Sequence, residues 1–145
     1  MTSGSGLTGR ALSPGTASGR ALVLEEPLSF WGGVDTGTGR IIDARHPQTG
    51  ASMTGRIVVM PSGRGSSSSS SVLAESVRAR TGPAAILLAR ADPIILLGAV
   101  VARELYGTEL PVVVLDRDGY ALISDGDTVS VDAGSTEAVV RIDRG

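Results

Sequence analysis

Three short apolar runs constrain this chain most: Arg56 to Met60, bounded by Gly55 and Pro61, Ala84 to Leu88, and Pro111 to Leu115. Runs of that length fit buried strands better than helices. Between the first two, the spacing of Val72, Leu73, Ser76 and Val77 predicts a helix to about Arg80. Between the second and third, Pro93 occupies the first turn of a helix running to about Tyr106. Strand and helix therefore alternate, which is the signature of parallel βαβ units and of an α/β fold.

The ends of the chain read differently. Gly9 to Leu12 and Gly19 to Glu25 repeat the words Gly-Arg-Ala-Leu on either side of the turn-rich Ser13-Pro14-Gly15-Thr16, and predict two strands paired with each other. Near the C-terminus, Gly126-Asp127 turns, Thr128 to Asp132 alternates as a strand, Gly134-Ser135 turns again and Ala138 to Ile142 closes. The segment Leu28 to Asp35 holds the only Phe and the only Trp and precedes a Thr36 to Gly39 turn, as a loop folded over the surface would. With 145 residues, 41% of them apolar, the expectation is a single β-rich α/β domain over residues 1–145, with two or three helices and a flexible start at residues 1–6.

Several function classes fall away. A formal charge of −2 without a block of like charges offers neither a nucleic-acid surface nor a polybasic membrane patch, and 3% aromatic residues leave little for bases to stack on. There is no cysteine, so the chain has no thiolate for zinc or an iron–sulfur cluster. Met1 to Gly6 lacks the basic and apolar regions of a signal peptide, and the longest apolar stretch, Pro93 to Ala102, is roughly half of a bilayer span. A cytoplasmic location is expected.

The residues with most chemistry follow the first strand. Ser62-Gly63-Arg64-Gly65 is a glycine-rich turn, and unbroken serines run from Ser66 to Ser71 into the helix. Such composition is usual in linkers, but this stretch lies between a strand and a helix, where an anion-binding loop belongs. Gly63 and Gly65 permit close backbone approach, and the free amides of a helix start attract carboxylate or phosphate. Beside those amides and the cation Arg64, a serine alkoxide is stabilised relative to the hydroxyl, which makes Ser66 the candidate catalytic base. Arg64, Gly65, Ser67 and Ser68 are the candidate substrate-binding residues. Capping and small-residue packing account for Ser69 to Ser71.

Other residues read as structural. His46, the only histidine, sits in Arg45-His46-Pro47 without a second metal ligand at suitable spacing, and is a turn residue. Asp35 caps the turn that follows it or faces a ligand. Phe30 and Trp31 are core or interface anchors or substrate contacts, and Tyr106 packs on its helix.

The stretches Pro27-Leu28-Ser29-Phe30-Trp31-Gly32-Gly33-Val34-Asp35, Pro61-Ser62-Gly63-Arg64-Gly65-Ser66-Ser67-Ser68 and Glu104-Leu105-Tyr106-Gly107 resemble the aconitase X small subunit or swivel domain, a likeness running from about Leu7 to the C-terminus. The resemblance implies a swivelling β/β/α domain that closes over a large catalytic aconitase X subunit. That partner would carry a cysteine-bound iron–sulfur cluster, with no cofactor bound by this chain alone and no metal ligand in it. In aconitase-type swivel domains a Gly-Ser-Ser-Arg motif provides the serine that takes the proton α to a carboxylate, a role that carries over to Ser66 of Gly65-Ser66-Ser67; loss of hydroxide from the neighbouring carbon is then assisted by the metal. Here Ser68 stands where that motif has arginine, so the usual carboxylate clamp is missing and a citrate-like substrate is not implied.

Aconitase X relatives include bacterial cis-3-hydroxy-L-proline dehydratases and archaeal two-subunit dehydratases of mevalonate 5-phosphate. Arg64 and the unbroken serines resemble the bacterial loop more than the Gly-Lys-Gly-Ser-Thr wording of the archaeal type, so dehydration of the small molecule cis-3-hydroxy-L-proline to Δ1-pyrroline-2-carboxylate is the expected reaction. Phosphomevalonate dehydration is the alternative. A non-catalytic anion-binding module without a partner is the competing class. A phosphohistidine-type carrier shares the Gly126-Asp127-Thr128-Val129 ending but needs a histidine in the loop, where His46 does not lie.

Overall fold

The computed structural model describes residues 4–143. Among these residues nine strands and three helices follow in the order β1 (Gly4–Ser13), β2 (Gly15–Val23), β3 (Val34–Asp35), β4 (Arg40–Ile41), β5 (Ile57–Met60), α1 (Ser68–Arg78), β6 (Ala85–Leu88), α2 (Pro93–Tyr106), β7 (Val112–Val114), α3 (Arg117–Ala121), β8 (Thr128–Ala133) and β9 (Glu137–Asp143). Seven strands close into a barrel in the order β1-β7-β6-β5-β2-β8-β9, and β3 with β4 forms a separate two-stranded sheet. Half of the barrel, β2, β5, β6 and β7, is parallel. The other half is antiparallel, with β1 and β2 flanking the β8–β9 hairpin.

This division explains the two kinds of sequence pattern. In β5 and β6 every residue is buried, because one face looks into the barrel and the other lies under helices. Ile57, Val59, Ala85, Leu87 and Val113 join the interior cluster with Val129, Val131, Val140 and Ile142. Their alternate neighbours Val58, Met60, Ile86, Leu88 and Val112 pack outward against Leu73, Ala74 and Val77 of α1 and Ile95, Ala99 and Ala102 of α2. Strands β8 and β9 carry no helix, and their burial alternates strictly between buried and exposed.

Helices α1 and α2 are the crossovers joining β5 to β6 and β6 to β7, as the alternation of runs predicts. Asp92 caps α2, its carboxylate accepting from the amides of Ile94 and Ile95, Pro93 fills the first turn, and Gly107 ends the helix in a left-handed conformation. The two helices pack closely because Gly98 has no side chain: a Cβ there would stand 2.8 Å from Leu73 Cδ2.

Two expectations are corrected. The strands containing the repeated Gly-Arg-Ala-Leu words exist, but they do not pair with each other: β1 lies between β7 and β9, and β2 between β5 and β8. Both edges of each strand are occupied in a closed barrel, so Pro14 and Gly15 turn a corner between them and close no hairpin. The helix after the serine loop runs from Ser68 to Arg78, one turn earlier than its apolar spacing begins, with Arg80 in a left-handed conformation beyond its end. Of the residues expected to be flexible, 1–3 lie outside the described residues, while Gly4 to Gly6 open β1 opposite Arg141 to Asp143.

Candidate functional site

The chain leaves the carboxyl ends of three adjacent parallel strands at one edge of the barrel. The exit of β2 carries Glu25 to Trp31, the exit of β5 carries Pro61 to Ser67, and the exit of β6 carries Ala89 to Asp92. In open and closed parallel sheets this is where ligands gather, because the helices that follow the strands begin there and present free amides.

The serine loop is held by its neighbours on both sides. Gly63 forms a parallel bridge with Leu28, and the Arg64 amide donates to the Leu28 carbonyl at 3.2 Å. A Cβ on Gly63 would meet Ile95 Cγ1 at 2.9 Å and Asp92 Oδ2 at 3.0 Å, so the loop backbone rests on the first turn of α2. Gly65 has φ +109, and a Cβ there would stand 2.5 Å from Ser29 Oγ.

Hydroxyls then tie this loop to the Trp31 segment. The Trp31 amide donates to Ser69 Oγ at 3.3 Å, Ser69 and Ser29 lie 3.1 Å apart through their hydroxyls, and Ser29 donates to the Trp31 carbonyl at 3.1 Å. Each hydroxyl has one proton, so the direction is determined: Ser29 donates to the carbonyl and Ser69 donates to Ser29.

Arg64, Gly65, Ser66, Ser67 and Ser68 are all exposed, whereas Ser69 and Ser70 are buried at 2% and 5% exposure. Among the described residues the hydroxyls of Ser66, Ser67 and Ser68 have no partner, and neither do the amides of these residues. Their carbonyls are used: Ser66 accepts from the Ser69 amide at 2.9 Å, and Ser67 from the Ser70 amide at 3.1 Å. Ser67 is the residue before the helix but makes no side-chain cap, so the capping role is not realised at the position where it would act. Ser69 and Ser70 do serve packing, Ser69 against the Trp31 segment and Ser70 against Gly98, while Ser71 is exposed. The early helix start follows from this packing, which places serines where composition alone disfavours helix.

Arg64 lines a cleft of about 610 Å³ together with Glu26, Asp43, Ala44 and Arg45. Glu26, Asp43 and Arg45 were not evident as site residues in the sequence, since they come from two other segments. His46 brings those segments together. It is 3% exposed; its Nδ1 accepts from the Gln48 amide at 3.0 Å, so the Nε2 side donates to the Glu26 carbonyl at 3.1 Å. Gln48 adds a second tie, donating to the Glu25 carboxylate at 2.8 Å and accepting from the Glu25 amide at 3.1 Å. The turn reading of His46 is therefore right, with a positioning consequence that its sequence context did not show.

Asp35 also serves its turn: its carboxylate accepts from the Gly37 amide at 2.9 Å and the Thr38 hydroxyl at 3.0 Å. Phe30 is fully buried, and Trp31 beside it is 63% exposed. Tyr106, read as a packing residue, is 40% exposed at the end of α2. The chain has no cysteine, and the described residues hold no group of three His, Asp or Glu placed for a metal, so they do not fit an iron–sulfur cluster. No helix among them is long and apolar enough to cross a membrane.

A mixed barrel with two helices over its parallel half and a glycine and serine loop exposed at the carboxyl edge of that half defines a swivel-type α/β domain. The chain belongs to the aconitase X swivel domain family, whose profile matches residues 6–142. It is 48% identical over 106 residues to a cis-3-hydroxy-L-proline dehydratase of Pseudomonas aeruginosa, covering 73% of this chain and 18% of that enzyme. It is 43% identical over 127 residues to the phosphomevalonate dehydratase small subunit of Methanothermobacter thermautotrophicus, covering 86% of this chain and 91% of that subunit. The crystal structure of holo aconitase X from Thermococcus kodakaraensis superposes with a TM-score of 0.81 at 34% identity, over 94% of this chain and 98% of that one. The chain thus spans about a fifth of the hydroxyproline enzyme but nearly the whole of the archaeal small subunit.

Proposed function

We propose that this chain is the small subunit of a two-chain hydro-lyase that dehydrates cis-3-hydroxy-L-proline, and that Ser66 is its proton acceptor. One observation carries a base in this loop, the exposed and unpartnered serine hydroxyls among unpartnered amides at the start of α1, where the exits of three parallel strands meet, and the Gly65-Ser66-Ser67 position within the motif selects Ser66 among them. The identity to the Pseudomonas enzyme supports the substrate.

In this reading Arg64, Gly65, Ser67 and Ser68 bind the substrate, whose carboxylate lies on the Arg64 side of the loop, while the amides of Ser66 to Ser68 and the positive end of α1 surround the Ser66 oxygen. The same field lowers the energy of the Ser66 alkoxide, which removes the proton from the carbon bearing the carboxylate. Hydroxide leaves the adjacent carbon, the double bond forms between the two, and the resulting enamine tautomerises to Δ1-pyrroline-2-carboxylate. The larger subunit contributes the iron–sulfur cluster; no residue of this chain is assigned to it. The expected location is the cytoplasm.

The second reading, the small subunit of a phosphomevalonate dehydratase, is supported by the 43% identity to the Methanothermobacter subunit over 127 residues. Both readings are tested by co-expressing the chain with a larger cysteine-containing subunit, purifying the pair without oxygen and assaying both substrates. Turnover of cis-3-hydroxy-L-proline that falls by about 10² to 10⁴ in Ser66→Ala, with the complex still assembled, is the expected result. Activity retained by Ser66→Ala sinks the base assignment, and turnover of mevalonate 5-phosphate alone sinks the substrate.

A further inference from the structure

The cleft beside the serine loop is balanced in charge. Two guanidinium groups, Arg45 and Arg64, and two carboxylates, Glu26 and Asp43, line the same 610 Å³ space. Arg64 lies two residues before Ser66 on the loop itself. None of the four is ion-paired among the described residues, in keeping with how little exposed charges gain by closing onto one another. Their backbones are fixed. His46 and Gln48 fasten Glu25 and Glu26 to the Asp43 to Gln48 turn, and Asp43, which lines the cleft, accepts the Arg45 amide through Oδ1 at 2.9 Å. Arg64 is anchored through its amide on Leu28.

We infer that Glu26 and Asp43, with Arg45 and Arg64, form the specificity subsite of this domain, and that it selects a zwitterion: a small molecule with an ammonium group close to a carboxylate. The inference rests on the dehydratase reading and deepens it. Arg45 and Arg64 replace the carboxylate clamp whose arginine is absent at Ser68, and a planar guanidinium matches a carboxylate in two parallel hydrogen bonds. Glu26 and Asp43 accept from the ammonium. A phosphate ester is disfavoured in the same place, because its multiple negative charge meets both carboxylates and offers them no donor. The cleft therefore sorts the two substrates that the family resemblance leaves open, and it sorts them toward the imino acid.

The test uses binding, so that it does not depend on turnover. In the assembled two-chain complex, calorimetric titration compares L-proline, which has both charges but no leaving hydroxyl, with N-acetyl-L-proline, which lacks the cation, and with inorganic phosphate. L-proline is expected to bind most tightly, and Glu26→Gln and Asp43→Asn each to weaken it about tenfold while leaving N-acetyl-L-proline unchanged. Arg45→Gln is expected to weaken both. Glu26 makes no side-chain hydrogen bond in the described chain, so Glu26→Gln tests the cleft without a loss of fold. L-proline affinity unaltered by Glu26→Gln, phosphate bound more tightly than L-proline, or no L-proline binding by an assembled complex would overturn the subsite. A Glu26→Gln chain that fails to assemble, yet binds L-proline normally once excess partner restores the complex, would also overturn it by assigning the carboxylates to the subunit interface. Absence of turnover with L-proline binding intact would count against the dehydratase reading alone.

Discussion

Ser69 and Trp31 are bound through one hydrogen bond, the Trp31 amide to Ser69 Oγ at 3.3 Å, and through it the exposed indole is coupled to the first turn of α1. Ser29 extends the coupling, accepting from Ser69 and donating to the Trp31 carbonyl, so the Trp31 amide is held by Ser69 and its carbonyl by Ser29. The consequence is that the serine run has two faces with different duties. Ser66 to Ser68 are turned to solvent, and Ser69 and Ser70 are turned inward.

Ser69→Ala removes the acceptor and leaves the Trp31 amide without a partner, which should cost about 1–2 kcal/mol in urea unfolding. Because Trp31 is the only tryptophan, its fluorescence anisotropy should fall as the loop loosens. The exposed neighbour Ser68→Ala should change stability by less than about 0.5 kcal/mol. Equal costs at the two positions would contradict the inward and outward division.

At Gly65 both conformation and space exclude a side chain. Gly65→Ala combines a φ of +109 with a Cβ 2.5 Å from Ser29 Oγ, and should destabilise the domain by about 2–3 kcal/mol. Gly32→Ala is the comparison: φ there is +77, but nothing lies within 4 Å, so the cost should stay near 1 kcal/mol. Thermal unfolding of the two variants checks the order, and a Gly32→Ala loss as large as that of Gly65→Ala would remove the steric argument.

The His46 ring should carry its proton on Nε2 when neutral, because the Gln48 amide can only donate to Nδ1. Long-range nitrogen–proton NMR correlation distinguishes the two tautomers directly. His46→Ala deletes both hydrogen bonds from a site that is 3% exposed, and should cost about 2–4 kcal/mol. It should also shift the amide resonances of Glu25 and Glu26, since the Glu26 carbonyl loses its donor. Unshifted resonances there would show that the two segments are held by Gln48 alone.

The parallel half of the barrel was readable in advance because burial on both faces leaves unmistakable runs such as Ile57 to Met60, and because Asp92, Pro93 and Gly107 mark α2 with local chemistry. The short helix α3 left a weaker mark: Asp116 caps it onto the Gly119 amide at 2.7 Å, but Arg117 to Ala121 is too brief for a periodic pattern. The pairing of β1 with β7 and β9, and of β2 with β5 and β8, leaves no mark in the sequence for a different reason. Side-chain alternation tells which face of a strand is buried and carries nothing about which strand lies alongside it.

The same boundary runs through the site. Gly63, Arg64, Gly65 and the serines were visible in sequence because they are consecutive, and a glycine-rich turn between strand and helix has physical consequences at short range. The cleft was not visible: Glu26, Asp43 and Arg45 are charged residues in unremarkable surface segments, and only closure of the barrel with the His46 tie sets them beside Arg64. By itself, then, the sequence determined the barrel strands, the two long helices and the chemistry of one loop, since these depend on dihedral preferences and burial period within a few residues. The tertiary structure alone decided strand order, the inward or outward duty of each serine and the company Arg64 keeps, since these depend on contacts between segments far apart in the chain.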